Sequence, residues 1–249
     1  MKVLIFDIKG RFAHFRKIYT NSSSLSYTLP PRTTVMGMIA AILGRERDTY
    51  YEEFNSQNMD IAVQKINPTR KIMQSLNYIK VTSPQQFSNP QDHTQIPFEI
   101  ICGEPETRYR IYLASKRAGL YGEIKERLQS GKHVFPLYLG AAPFAGGIEF
   151  IGEAEAEKIM ALEVIDINTP LSVDKIEKIA FSQLKENNVL VKDKMPVDFT
   201  KERYPINTKS YIYDDAGQSL KVELKKDVIY WQVKYYVHDA EQASNIIFY

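Results

Sequence analysis

The chain has little of several things that mark common functional classes. It holds one cysteine, Cys102, among 249 residues. That excludes an intrachain disulfide and a multi-thiolate metal site, and it fits a reducing cytoplasm. There is one tryptophan, and the four histidines (His14, His93, His133 and His238) stand too far apart for metal-ligand spacing. No apolar run reaches the roughly 18 residues of a membrane span. The opening stretch sets Asp7 and Lys9 straight after a short apolar run, the pattern of a first strand and not of a signal peptide. Walker, dinucleotide-binding, zinc-protease and nucleophile-elbow motifs are all missing, so no cofactor is indicated. Net charge is also small, 32 Lys and Arg against 30 Asp and Glu for +2. Taken whole, that figure gives no reason to expect a nucleic-acid partner.

What is present is unevenly placed. Residues 1–47 carry eight cations against two acids, or +6, and residues 61–97 carry four against one. Residues 149–166 reverse the balance, with six acids and the single cation Lys158, or −5. Asymmetry of this kind predicts one basic and one acidic surface. Sixteen tyrosines and 12 phenylalanines add to it.

Periodicity gives an α+β chain. Residues 2–9 are apolar on both alternating faces, as in a buried central strand, with Gly10 breaking it. Pro30-Pro31 opens the clearest helix, capped by Thr33 or Thr34 and stopped by Gly44. Val35, Met38, Ile39 and Ile42 make its apolar stripe. A second stripe of Gly37, Ala40, Ala41 and Gly44 predicts close packing, on a sheet in preference to a ligand. A short helical piece is expected at 50–55 and strands at 59–66, 71–81, 98–103 and 107–114, the last two joined by a turn at 103–106. The polar stretch 82–97 reads as a protruding arm or flexible loop. A helix spans about 119–130, where Leu120, Ile124 and Leu128 recur every four residues. An aromatic strand at 135–139 then runs into the small-residue loop Gly140–Gly147. Beyond it the chain reads as β-rich, with strands at 148–152, 159–167, 207–213, 218–225 and 228–237, a short helix at 173–185 and an irregular stretch at 186–205. The N-terminal order of strand, helix, strands, helix and strand suits a ferredoxin-like domain over 1–150, with a β-rich region at 151–249.

The strongest chemical pattern is cations interleaved with aromatics. From Arg11 to Tyr19 each face of an extended chain mixes rings (Phe12, His14, Phe15) with charge (Arg11, Arg16, Lys17). Rings stack on unpaired bases while cations meet phosphates. An edge strand with snorkelling cations is the plainer explanation. Arg32, Thr33 and Thr34 at a helix start suit a phosphate, although helix capping alone also accounts for them. The Gly140–Gly147 loop would let a sugar-phosphate backbone come close, or it is simply a tight turn. The carboxylates Glu153, Glu155 and Glu157 share one strand face, which reads as solvated and not as a metal site.

The run from Ser26 through Pro30-Pro31-Arg32-Thr33-Thr34 to Gly44 closely resembles the N-terminal signature of the Cas-five family, CRISPR-associated proteins of the RAMP superfamily. Pro136 to Phe144 is similar to a second family landmark, and the length and β-rich C-terminal part are most similar to type I-B members. The resemblance implies an RRM-like ferredoxin fold with a protruding β-hairpin thumb over 70–98. It implies a non-catalytic Cascade subunit that holds the 5′ handle of CRISPR RNA and caps the backbone filament. Such a subunit contacts backbone and large subunits, meets target DNA indirectly and has no membrane or metal partner. On this basis the expected RNA contacts are Arg11, His14, Arg16, Lys17, Tyr27, Arg32, Thr33, Thr34 and Gly140. Arg70, Lys71 and Lys80 are expected at the base of the thumb. Arg32→Ala is expected to lower handle affinity modestly.

Two alternatives stay open. In type I-C relatives this subunit is itself a metal-independent endoribonuclease, and Lys132-His133 with Tyr27 or Tyr50 would supply the general base and cation that such chemistry needs. A filament component without specific RNA readout is the other.

Overall fold

A computed structural model of the chain describes residues 1–160, 163–184 and 186–249. Its centre is β1 (Lys2–Ala13), whose buried Val3–Phe6 run forces cover on both faces. Leu4, Phe6 and Ile8 lie in one apolar cluster with helix residues, and Val3 and Ile5 lie in a second cluster. Each large side chain so buried contributes roughly 1.5–3 kcal/mol.

Helix α1 (Arg32–Leu43) turns Val35, Ile39 and Ile42 into the first cluster. Strands β2 (Met59–Lys65) and β3 (Thr69–Ile79) follow. The short helix α2 (Pro84–Ser88) then precedes β4 (His93–Ser115). Helix α3 (Ala118–Ser130) adds Leu120, Ile124 and Leu128 to the same cluster. Strands β5 (Gly147–Met160), β6 (Ile229–Val237) and β7 (Ala240–Ile246) complete an antiparallel sheet in the order β7-β6-β5-β1-β4-β2. The β6–β7 hairpin supplies Val233, Tyr235 and Ile246 to the second cluster, so it covers the sheet face away from the helices. Strand β5 runs without a break across residue 150, where the sequence pattern set a division, and ties that hairpin to the N-terminal sheet.

Beyond the shared sheet, β3 pairs with the first half of β4 from Thr69 opposite Gly103 to Ile79 opposite His93. The resulting two-stranded hairpin ends in α2, within the polar stretch read as an arm. Its strand β3 is largely exposed. The rest of the C-terminal region forms small sheets. Leu190–Met195 and Leu171–Ser172 pair with Lys209–Asp214, while Ile165–Ile167 and Ile176–Ile179 pair with Leu220–Leu224.

Several local expectations give way to tertiary pairing. Gly10 does not end β1, which continues with a bulge after it. A side chain at Gly10 would lie 2.7 Å from Leu139 and 2.8 Å from the Ala145 carbonyl, so the glycine is there to seat the 137–146 loop. Residues 103–106 bulge inside the single strand β4 instead of separating two strands. Residues 50–55 form turns, residues 135–139 form no strand beyond a Tyr138–Ala145 bridge, and 190–195 is a strand. The helix expected at 173–185 is two 3-10 turns around the strand Ile176–Ile179, because Ile176 and Ile179 join a ladder with Leu224 and Val222. Its last position, 185, lies outside the described residues, as do positions 161 and 162 of the strand expected at 159–167.

Candidate functional site

After β1 the chain extends through Phe15–Arg16, which pairs with Ser26–Tyr27 just before α1. This places the basic-aromatic stretch beside the start of the signature helix. Between them lies a groove of about 730 Å³. Thr33, Thr34, Gly37, Met38 and Ala41 line it from α1, and Tyr138, Gly140 and Ala141 from the small-residue loop. Tyr78 and Phe98 reach it from the hairpin, and Phe199 and Arg203 from the C-terminal region. Among the described residues no aspartate or glutamate lines it, while Arg16, Lys17 and Arg203 do.

The small-residue face of α1 therefore opens in part on this groove. Gly37 and Ala41 line it, while Ala40 is buried in the core. The expectation that the whole stripe packs on a sheet is corrected on this point. Helix α1 also starts without a side-chain cap. The Thr34 and Val35 N–H groups both donate to the Pro31 carbonyl, at 2.9 and 3.2 Å, so neither threonine is the cap.

The expected RNA contacts separate into two groups. Arg16 is exposed and, among the described residues, has no ion-pair partner. Lys17 lines the groove but is held by Asp193 at 2.5 Å. Asp193 also accepts from the Tyr19 and Tyr213 hydroxyls, at 2.7 and 2.8 Å. Burial, followed by the hydrogen bond to Asp193, pushes the Tyr19 phenol well above its ordinary range.

Arg32 leaves the list. It is 1 % exposed, and its guanidinium donates to Asp198 at 2.7 Å and to the carbonyls of Val197, Phe54 and Met59. No donor of its two terminal nitrogens is left for a phosphate, and the side chain points into the core. Tyr27 is likewise buried, with its hydroxyl donating to the Lys194 carbonyl at 2.5 Å, so its ring is no stacking platform.

His14 is a core histidine. Its ring stacks on Phe98 at 4.0 Å, and its Nδ1 lies 2.7 Å from the Glu99 carbonyl, which can only accept. The proton is therefore on Nδ1, and Nε2 accepts from the Ser24 hydroxyl at 3.0 Å. Burial lowers its pKa, so the ring is neutral and does not pair with phosphate as a cation. Gly140 has φ of +89°, and an added Cβ would stand 2.0 Å from the His14 carbonyl. Its missing side chain admits the protein's own backbone, although the residue also borders the groove.

The remaining cations lie outside the groove. Arg11 sits over the Phe12 ring at 5.7 Å. Arg70 pairs with Glu104 at 3.1 Å, and both arginines act on the Cys102 thiol, so they share the base of the hairpin. Burial nonetheless pushes that thiol up. Lys71 pairs with Glu99 at 3.3 Å. Lys80 is at the far end of the hairpin and not at its base, since its N–H bonds to Asp92 across the tip. Lys132 and His133 are exposed beyond α3, and neither lines the groove. Tyr27 is buried and Tyr50 lines the groove, but with Lys132 and His133 outside it the Lys-His-Tyr constellation is not gathered there.

Tyr50, Tyr51, Phe98, Tyr138 and Arg203 are groove residues that the sequence reading did not assign to RNA. The adjacent Tyr50-Tyr51 pair and the Tyr in Pro136-Leu137-Tyr138 were visible signals. Nothing near Arg203 in the sequence marked it.

The family model for "CRISPR-associated protein (Cas_Cas5)" matches residues 3–207. The chain belongs to this family. A comparison with curated proteins finds no match. Among solved structures, a CRISPR protein from Archaeoglobus fulgidus is 12% identical with a TM-score of 0.54, over 98% of this chain and all of that one. A chain of a CRISPR RNA-guided surveillance complex is 12% identical with a TM-score of 0.50, over 88% of this chain and 91% of that one. A chain of a type III-B Cmr-beta complex bound to cognate target RNA is 9% identical with a TM-score of 0.50, over 89% and 86%. At these identities the likeness is one of fold. For this CRISPR-associated family member, the matched span takes in every groove residue, Arg203 included, and ends before the β6–β7 hairpin.

Proposed function

We propose that this CRISPR-associated family member is a non-catalytic, RNA-holding subunit of a surveillance complex, with the 5′ handle of CRISPR RNA seated in the groove. One observation carries the reading: among the described residues, a groove with no lining carboxylate combines Arg16, which makes no ion pair, with the rings of Tyr50 and Tyr138 and the small side of α1. Cations track a backbone, rings stack on unpaired bases, and small residues admit the sugar-phosphate closely. The strand order β5-β1-β4-β2, with α1 and α3 on one face, supports a ferredoxin-like framework. The β3–β4 hairpin acts as its thumb, and Phe87, 79 % exposed at the tip, suits contact with a backbone subunit. The subunit caps the backbone filament beside the large subunit and meets target DNA through them, in the cytoplasm. Residues 151–249 serve as a β-rich region that braces the N-terminal domain.

The test is reconstitution of the complex with and without this chain, followed by 5′-exonuclease footprinting of the bound CRISPR RNA. Protection of the handle in the presence of the chain, weakened by Arg16→Gln, is the expected result. A handle equally protected without the chain overturns the reading. A specific cut in repeat RNA by the purified chain in EDTA, abolished by His133→Ala, would replace it with endoribonuclease function.

A further inference from the structure

Arg203 reaches the groove from the C-terminal region, which the sequence assigned no RNA contact. Its turn is built by the chain itself: the Thr200 N–H donates to the Tyr204 carbonyl at 2.9 Å, and the Arg203 N–H to the Thr200 carbonyl at 3.0 Å. The Tyr204 N–H donates to the Thr200 hydroxyl at 3.2 Å, and Arg203 itself stands at φ of +66°. Two residues upstream of this turn, Asp198 is anchored in the core by Arg32 and by the Ser56 N–H and hydroxyl. An exposed arginine is thus carried on a fixed support at the edge of the groove.

Among the described residues, the acids around it make their ion pairs and hydrogen bonds with other groups. Asp48, whose carboxyl the Arg203 charge helps to lower, makes its ion pair with Arg47 at 3.2 Å and accepts from the Tyr51 hydroxyl. Glu52 pairs with Lys201 at 3.2 Å. Glu202 accepts from its own backbone and from Thr200, which lowers its pKa. Among the described residues Arg203 therefore makes no ion pair, and Tyr50 and Tyr51, on which its charge also acts, stand beside it.

We infer that Arg203 is a phosphate-holding residue of the groove, so that the C-terminal region completes the RNA site and does not merely brace it. The inference rests on the RNA-holding role proposed above. Guanidinium matches phosphate in a planar, two-pronged geometry and releases counterions when it binds.

The experiment uses the full chain and a fluorescein-labelled, unstructured single-stranded RNA of about ten nucleotides, titrated across a salt series. Arg203→Asn removes the charge with a residue that tolerates the left-handed turn. The slope of log K against log salt is expected to become shallower by about 0.7, so the weakening between about 50 and 200 mM salt falls by about 2.5-fold. Arg203→Lys should restore most of the slope, which a purely structural role of the turn would not explain. Lys234→Gln, exposed on β6, should change neither slope nor affinity. Unfolding midpoints of all variants report whether the fold is kept. A wild-type slope in Arg203→Asn, with wild-type binding intact, overturns this inference and leaves the RNA-holding role standing. If the wild-type chain itself shows no salt-dependent binding to this RNA, both fall.

Discussion

Two clefts in this protein hold arginines, and they differ in what surrounds the charge. The groove beside α1, about 730 Å³, is lined by Arg16 and Arg203 and, among the described residues, by no carboxylate. The cleft on the reverse face of the sheet, about 590 Å³, is lined by Arg108 and Arg110. There Arg110 grips the fully buried Asp7 through Nε and Nη2, at 2.8 and 2.9 Å, and donates through Nη1 to Tyr235 and Gln242. Arg108 reaches Asp7, Glu149 and Glu106 at 3.2, 2.9 and 2.7 Å. Hydrogen bonding and charge from these acids raise both arginines further, against the opposing effect of burial. Saturated guanidiniums cement a fold, while those without an ion pair at the edge of an open groove keep their donors for other groups. A count of cations along the chain does not separate the two.

The sharpest way to break this contrast is to remove a buried arginine. Arg110→Ala leaves Asp7 in the core without its bidentate partner and should cost about 3–5 kcal/mol in chemical unfolding. Arg32→Ala belongs to the same class, since it strands Asp198, and should cost a similar amount. The family resemblance instead implies a modest loss of RNA affinity at Arg32. An Arg32→Ala protein of wild-type stability with weakened RNA binding would sink the contrast.

Smaller effects sharpen it. Gly140→Ala should cost about 2 kcal/mol or more, from the left-handed backbone and the His14 carbonyl in the way of the methyl group. Tyr138→Ala should leave stability nearly unchanged, because the ring is 40 % exposed. It should weaken single-stranded RNA binding by about 1 kcal/mol, or roughly fivefold, through lost stacking. Equal affinities in a fluorescence titration would remove that ring from the site.

The smallest effect is a pH dependence. Burial holds the folded His14 pKa below its ordinary 6.5, so near and below that pH the unfolded chain binds more protons than the folded one. Stability contributed by the neutral ring is complete above 6.5 and declines as pH falls through it. The unfolding midpoint should drop between about pH 7.5 and about pH 5, and His14→Asn should flatten part of that drop. An identical pH profile in the variant would show that His14 does not titrate with unfolding.

Much of the framework was legible. The two-faced apolar run of β1, the helix between Pro31 and Gly44 and the four-residue spacing in α3 are short-range patterns, and each element is there, although β1 runs on past Gly10 and α1 starts without a threonine cap. Of the expected contacts, Arg16, Lys17, Thr33, Thr34 and Gly140 line one groove, with the buried His14 and Tyr27 in its wall. The C-terminal strands were less legible, because Ile176–Ile179 and Leu190–Met195 take their form from ladders with residues from Lys209 to Leu224, further along the chain.

The +6 of residues 1–47 was a property of the sequence alone, as were the helix bounds and the signature run. Which of those cations stay free was decided by the tertiary structure. Lys17 meets Asp193 and Arg32 meets Asp198, acids 176 and 166 positions further along the chain, while Arg203 comes to the groove from equally far. Ion pairing depends on a separation of a few ångströms and on burial. Neither quantity is written in a sequence until the C-terminal strands fold back against the N-terminal sheet.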